Sequence, residues 1–278
     1  MKLKTLAIAI AIGAMPFAAQ ADISVKGDVT VGYFQNKAGD NEFYGNGTNF
    51  TLYGEEKVGS LTYFGNVDFD VDDKYDGGGE ITSDDMYVGV KGAFGELRMG
   101  DTDNGCDATD TGWVVPDIWF AHSSGGCKGD DKNNITYKRS MGAATVAVSH
   151  SPNGEEYNAV GIQGTVGPVT ASLGYEAGDA LNGNDKNVVL GLSGKVGPAS
   201  VGVRANRVDG GDTDVGINGV YSAGANTFYV GLGDVSDKDS QFLGYQRKLG
   251  SKTTFIVEYQ DEDDQANAQY GIGLSHAF

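Results

Sequence analysis

Residues 160–176 read VGIQGTVGPVTASLGYE, and the period of this stretch decides the fold. Val160, Ile162 and Val166 fall on one face, against Gln163 and Thr165 on the other. Beyond Val166-Gly167-Pro168, Val169, Ala171, Leu173 and Tyr175 stand against Thr170, Ser172 and Glu176. A period of two sends successive side chains to opposite faces of an extended strand, whereas a helix needs spacings of three and four. The Gly-Pro pair between the runs marks a tight turn. The stretch is therefore a β-hairpin with one apolar and one polar face.

The same unit repeats outward along the chain. Ile23, Val25, Val29, Val31 and Tyr33 alternate with Ser24, Lys26, Asp28 and Thr30, and Leu61, Tyr63, Val67, Phe69 and Val71 alternate with Thr62, Asn66, Asp68 and Asp70. The connectors alternate too. One set is short and Gly-centred, at 58–60, 92–95, 140–142, 166–168, 196–198, 222–226 and 249–251. The other is longer, polar and mostly acidic, at 36–46, 72–82, 101–132, 151–155, 177–186, 208–213, 235–239 and 260–266. Seven tight turns and eight loops join sixteen strands, with both ends on the tight-turn side. Short turns on one rim, long loops on the other and an even strand count describe an all-β, 16-stranded antiparallel transmembrane β-barrel. Sixteen strands of ~9–11 residues use about 160 residues and leave the rest for connectors. A soluble sandwich has fewer strands and no cause for such asymmetry between its two ends.

The first 21 residues read as a targeting segment. Lys2 and Lys4 precede the short apolar run Leu6 to Ala14, and Ala19-Gln20-Ala21 makes an A-x-A cleavage site. Removing it leaves 257 of the 278 residues, 22–278, as the barrel, with no cysteine at the cleavage point to take a lipid. The export signal and the barrel pattern together predict a multi-pass protein of the bacterial outer membrane, in contact with its lipid. The chain carries 20 Lys and Arg against 38 Asp and Glu, and the leader holds two of the bases, so the remainder balances at −20. Nucleic acid and anionic lipid surfaces, which require a basic face, are excluded as default partners. A mean hydropathy of −0.29 fits a barrel that averages apolar and polar faces.

The last strand ends Tyr270-Gly271-Ile272-Gly273-Leu274-Ser275-His276-Ala277-Phe278, with Phe278 on the apolar face. This ending resembles the terminal signal of bacterial outer-membrane porins, which the barrel-assembly machinery reads at the final Phe. The strands Asp22-Ile23-Ser24-Val25-Lys26-Gly27, Gly95-Glu96-Leu97-Arg98-Met99-Gly100-Asp101 and Asn134-Ile135-Thr136-Tyr137 also resemble those of the general trimeric porins of Gram-negative bacteria. The resemblance spans essentially the whole chain after the leader. It departs from the enteric members in the loop motif and in its short outer loops. It implies a homotrimer that passes small hydrophilic solutes and ions by passive diffusion through a water-filled pore, with no enzymatic activity and no cofactor. It also implies that the third loop, 101–132, folds inward as the constriction.

That loop carries both tryptophans of the chain, in Trp113-Val114-Val115-Pro116-Asp117-Ile118-Trp119-Phe120. So many large apolar groups suit a loop packed inside the barrel, its apolar side on the wall and its acids on the pore. The alternative is an external loop used in adhesion. Cys106 and Cys127 are the only cysteines, and in an oxidising compartment a disulfide is the default. The acids expected at the constriction are Asp101, Asp103, Asp107, Asp110 and Asp117, and the apolar phase puts Lys26, Lys57, Lys91, Arg98, Lys138 and Arg204 on the pore wall. Acids facing bases across a narrow pore set a transverse field that favours dipolar solutes. The −20 balance predicts weak cation preference, which the six wall bases are able to reverse.

Other signals carry less. Asp101-x-Asp103-x-Gly105-x-Asp107 and the cluster Asp72, Asp73 and Asp76 lack the twelve-residue calcium spacing, so calcium held between loops is the one cofactor they leave open and no metal site is assigned. His122, His150 and His276 stand apart with no nucleophile elbow. Gly77-Gly78-Gly79 is a loop tip, since no helix follows it. Two further functions compete: a solute-specific channel, which needs an aromatic slide where only Phe34, Tyr53, Phe64 and Tyr87 face inward, and an adhesin, which needs long outer loops.

Overall fold

The computed structural model describes residues 22–73, 80–116, 119–120, 126–128, 132–152, 157–178, 186–234, 238–263 and 265–278. The leader 1–21, Asp76, Gly77-Gly78-Gly79, Asp117 and His122 lie outside the described residues.

Sixteen strands follow in chain order. The first half is β1 (Asp22–Gln35), β2 (Asn41–Val58), β3 (Leu61–Asp73), β4 (Glu80–Gly92), β5 (Gly95–Asp101), β6 (Asn134–Met141), β7 (Ala144–Ser151) and β8 (Tyr157–Val166). The second half is β9 (Val169–Gly178), β10 (Lys186–Val196), β11 (Ala199–Val208), β12 (Thr213–Ala223), β13 (Asn226–Asp234), β14 (Asp239–Lys248), β15 (Thr253–Glu262) and β16 (Gln269–Ala277). Each strand pairs antiparallel with its sequence neighbours, and β1 pairs with β16 from Asp28↔Ala277 to Gln35↔Tyr270, so the sheet closes. Closure leaves no strand edge unpaired, the condition a sheet must meet in hydrocarbon. Among the described residues no helix is long and apolar enough to cross a membrane.

The period-two pattern gives the wall its two faces. Ile23, Val25 and Val29 of β1, Ile162 of β8, Leu190 and Leu192 of β10 and Leu243 of β14 remain 46–57% exposed, on the outside. The opposite phase is polar and largely covered: Asn134, Thr136, Ser149, Glu176, Asn187, Asn218 and Glu258 are all buried. Most large apolar side chains thus form the outer surface, and the inner phase is mainly polar, with buried aromatics such as Phe34, Phe64 and Phe242 among the polar groups.

All seven tight turns fall where Gly-centred connectors predict them. Gly59, Gly142, Gly167, Gly197 and Gly224 have φ between 59° and 66°, each at the first turn position, where a two-residue II′ hairpin requires positive φ. The long loops differ from expectation in their bounds. β2 already starts at Asn41, inside the stretch 36–46, and β3 and β4 enter 72–82. Backbone pairing continues past the point where side chains turn acidic. Loss of apolar alternation therefore marks the end of the outer apolar band, not of the strand.

Candidate pore and its inner loop

The described residues of the segment after β5 make their contacts along the inner face of the barrel. At its start, Asn134 Nδ2 donates to Thr102 O (2.9 Å), Thr136 Oγ1 to Asp103 O (2.9 Å) and Gly105 N to Ser149 Oγ (2.8 Å). A single 3-10 turn follows, Asp107–Thr109. Asn104 organises it: its Oδ1 accepts from Cys106 N (2.7 Å) and Asp107 N (3.2 Å), and its Nδ2 donates to Asp107 Oδ2 (2.6 Å). Such local side-chain bonds satisfy backbone donors that a short turn leaves over.

The chain then crosses the wall strand by strand. Thr111 N donates to Ser172 Oγ of β9 (3.2 Å), and Arg204 of β11 donates to Asp110 Oδ2 (2.7 Å). Asn218 of β12 both accepts from Val114 N and donates to Gly112 O, each at 2.8 Å. Glu258 of β15 accepts from Trp119 N (3.0 Å), Phe120 N (3.1 Å) and the Tyr229 hydroxyl (2.5 Å). On the return, Asn187 donates to Gly126 O (2.9 Å) and Lys128 N to Glu176 Oε2 (2.7 Å). A disulfide, Cys106–Cys127, joins the outgoing and returning limbs and packs on Tyr157, Ala159 and Val189.

The wall under this path is built from small residues. A Cβ on Gly161 would strike Thr109 Oγ1, one on Gly174 would strike Cys106 Sγ, and one on Gly202 would strike Gly112 O; one on Gly191 would sit 2.7 Å from Gly112 N. Gly161 and Gly174 are direct register partners, so the clearings form a shelf across β8–β11. Farther on the contact is apolar. Trp113 lies 5.7 Å from Phe242, Val115 packs with Tyr229 and Phe242, and Trp119 meets Phe34 edge-on at 4.8 Å. The apolar side of the loop is on the wall, as its tryptophans suggest.

Across the lumen, β2–β5 present a different surface. Tyr53, Phe64 and Tyr87 form a chain of rings with centroids 6.2 and 6.3 Å apart. Lys91 sits 5.1 Å over Phe64 and pairs with Glu55 (2.9 Å); Arg98 sits 4.8 Å over Tyr87 and pairs with Glu96 (2.6 Å). Each cation rests on an aromatic face beside a carboxylate.

All six expected wall bases occupy the inner phase, but they are not arrayed uniformly against the loop acids. Arg204 is joined to Asp110 and lies over Trp113, so this pair sits together on one side. Lys91 and Arg98 are paired within the wall. Lys26, Lys57 and Lys138 make no ion pair among the described residues. Asp103 is exposed at the loop's start. Asp101 sits opposite Met86 in register, on the phase of the outward Met99, and accepts from Asn133 N (3.0 Å); this sets it apart from the loop acids. Asp117 lies outside the described residues. Phe278 donates its N–H to Gly27 O (3.0 Å), with its side chain 55% exposed. His150 pairs with Asn158 and His276 with Thr253.

Among the described residues, one group of three metal-capable side chains gathers, Cys106, Cys127 and Glu176, and its sulfurs are spent in the disulfide. The residues that hold the loop, above all Glu176, Asn187, Asn218 and Glu258, are absent from the sequence-based expectation. Glu258 carried a signal: it is an inner-phase acid beside the apolar run Phe255-Ile256-Val257.

A closed barrel, apolar outside and polar inside, with a loop laid along its inner face, defines the class of transmembrane pores. The chain belongs to the Gram-negative porin family, whose model matches residues 5–278. No curated protein matches its sequence. Its fold is similar to solved porins at low identity. An engineered Rhodopseudomonas blastica porin has a TM-score of 0.77 at 14% identity, covering 92% of this chain and all of its own. The trimer form of OmpT from Vibrio cholerae gives 0.73 at 15%, with 94% and 100% covered. An anion-selective porin from Comamonas acidovorans gives 0.68 at 19%, with 93% and 100% covered. Family and fold place the chain among outer-membrane porins, a class of non-enzymatic channels.

Proposed function

We propose that this porin is an unspecific diffusion channel for small hydrophilic solutes and ions, weakly cation-selective, with the segment 101–132 as its constriction. The leader 1–21 directs export, and the working form is a homotrimer, as in the OmpT relative. The observation that carries this reading is the loop's course from Ser149 to Glu258 across the inner face, which leaves the β2–β5 wall to bound the passage. Cation preference follows from charge. Lys91, Arg98 and Arg204 each lie beside a carboxylate, while Asp103 stands exposed and Asp107 lies on the loop in an overall balance of −20. Apolar solutes lose hydration against such walls without compensation.

The test is recording from refolded protein in a planar bilayer, with the reversal potential taken across a KCl gradient. Stable open steps, grouped in threes, with a potential on the cation side support the reading. A potential on the anion side assigns the selectivity to the wall bases. A folded barrel that passes no current removes the channel.

A further inference from the structure

The registers place the charges of the inner wall toward opposite ends of the strands. Lys57, Lys91 and Lys138 belong to one row, through the pairs Lys57↔Thr62, Thr62↔Lys91, Lys91↔Glu96 and Glu96↔Lys138. This row lies next to the tight turns at Gly59 and Gly95, and Arg98 stands one inner position above it. At the same end, Lys195 and Lys248 close β10 and β14. The acids interspersed there are Asp22, Glu55 and Glu96, fewer than the bases they meet. Toward the long-loop rim the sign inverts. Asp68 and Asp70 of β3, Asp214 of β12 and Glu262 of β15 face inward, joined by Asp103 and Asp107 of the inner loop. Two inward strand bases stand among them: Lys26 shares the row of Asp68 through Thr51, and Arg204 is neutralised by Asp110. The loops add Lys37 beside Glu262 and Lys128 on the inner loop, so acids still outnumber bases in that half.

We infer that the lumen is polarised along its axis, acidic at the loop end and basic at the turn end, so that the open pore conducts asymmetrically. The inference rests on the channel reading and adds a direction to it. From Thr62, the partner of Lys57, to Asp70 is eight residues of β3. That is about 26 Å of strand, or about 20 Å along the axis at a tilt of ~40°. The two poles are thus separated by more than the Debye length of ~10 Å in 0.1 M salt, and each acts on its own stretch of water. The acidic half concentrates cations and the basic half anions. With the loop side positive, cations enter through the acidic half and anions through the basic half, and both accumulate where the halves meet. With the polarity reversed, both are drawn out and the junction is depleted. Conductance is higher in the first case.

The experiment is the single-channel current–voltage curve in symmetric KCl. The loop side is identified by one-sided block with streptavidin bound to a biotinylated Asp212→Cys variant, residue 212 lying in the β11–β12 loop. The expected conductance ratio is about twofold in 0.1 M KCl, falling to unity in 1 M KCl, where the Debye length is ~3 Å. Combining Lys57→Gln, Lys91→Gln and Lys138→Gln should lower the ratio in 0.1 M KCl and move the reversal potential further to the cation side. A conducting wild-type pore with a symmetric curve in 0.1 M KCl overturns the polarised lumen and leaves the porin standing. So does asymmetry that persists in 1 M KCl or is undiminished in the triple variant. Absence of conductance overturns the channel reading itself.

Discussion

Along β7–β10 the inner face beneath the loop is lined by Ala147, Gly161, Gly174, Ser172 and Gly191, with Tyr157 and Val189 under the disulfide, whereas along β2–β5 it carries Tyr53, Phe64, Tyr87, Lys91 and Arg98. Both stretches obey the same alternation and carry the same outer apolar phase. They differ in what the inner phase must accommodate. Where a loop lies on the wall, the wall gives up its side chains and keeps hydrogen-bonding groups at the crossing points. Where water lies on the wall, the side chains are large, charged and paired among themselves. The inner phase of a barrel strand therefore records its neighbour: small residues with isolated Ser, Asn or Glu mark a seated loop.

The strongest perturbation expected on the loop side is loss of the disulfide. With a sequence separation of 21 between the cysteines, Cys106→Ser with Cys127→Ser should lower unfolding stability by about 3 kcal/mol. Mean conductance should hold, since Ser149, Asn218 and Glu258 still fix the loop. A large change in conductance in denaturant-free bilayers would mean that the cross-link, not the wall, positions it.

Next comes the shelf. Gly161→Val sets a branched side chain against Thr109 Oγ1 and Gly105 O, and overpacking of this kind costs about 1–3 kcal/mol. The expected readouts are a lower urea midpoint and an altered single-channel conductance. Gly54→Ala, where Cβ would meet Ile23 at 3.9 Å, should change neither. Gly54 faces outward with Ile23, so equal effects at the two sites would mean that contact with the loop does not set the cost of Gly161→Val.

Glu258→Ala strips the acceptor from two backbone N–H groups and a tyrosine, at a cost of about 1–2 kcal/mol. Open-channel current noise should rise as the Trp119–Phe120 end loosens. Unchanged noise would place the anchoring in the Trp119–Phe34 contact.

The smallest effect belongs to the opposite wall. Lys91 and Glu55 are 40% and 35% exposed, so Lys91→Gln should cost under about 1 kcal/mol in stability and act on the reversal potential instead. A stability loss as large as that of Gly161→Val would show that this wall, too, is structurally committed.

Strand number, turn positions and the apolar face were legible because each follows from local pattern: Val166-Gly167-Pro168-Val169 specifies its hairpin without reference to anything distant. The burial of the loop was legible from Trp113 and Trp119. What local pattern does not contain is which inner residues become neighbours once sixteen registers are set. Asp110 and Arg204 are 94 positions apart, and only closure brings them to 2.7 Å. Gly161 and Gly191 resemble any barrel glycine until the loop arrives over them. Asp101 reads as the first acid of the loop, yet its pairing with Met86 gives it to the outer phase. The loop bounds were overestimated because acidic side chains occupy strands that continue to pair above the apolar band.

The seam between β1 and β16 has a consequence for how such a chain folds. Ser275 Oγ reaches Asp28 Oδ2 at 3.2 Å across a sequence separation of 247, and Phe278 bonds Gly27 beside it. Every other strand pairing is a hairpin between consecutive segments, inexpensive in loop-closure entropy, but the last pairing closes the longest loop the molecule has. Until it forms, β1 and β16 are both naked edges, open to any passing strand. The ring is thus kinetically a late event of very high contact order. A variant shortened by β16 would lose two ladders at once and become an open, aggregation-prone sheet in place of a smaller barrel.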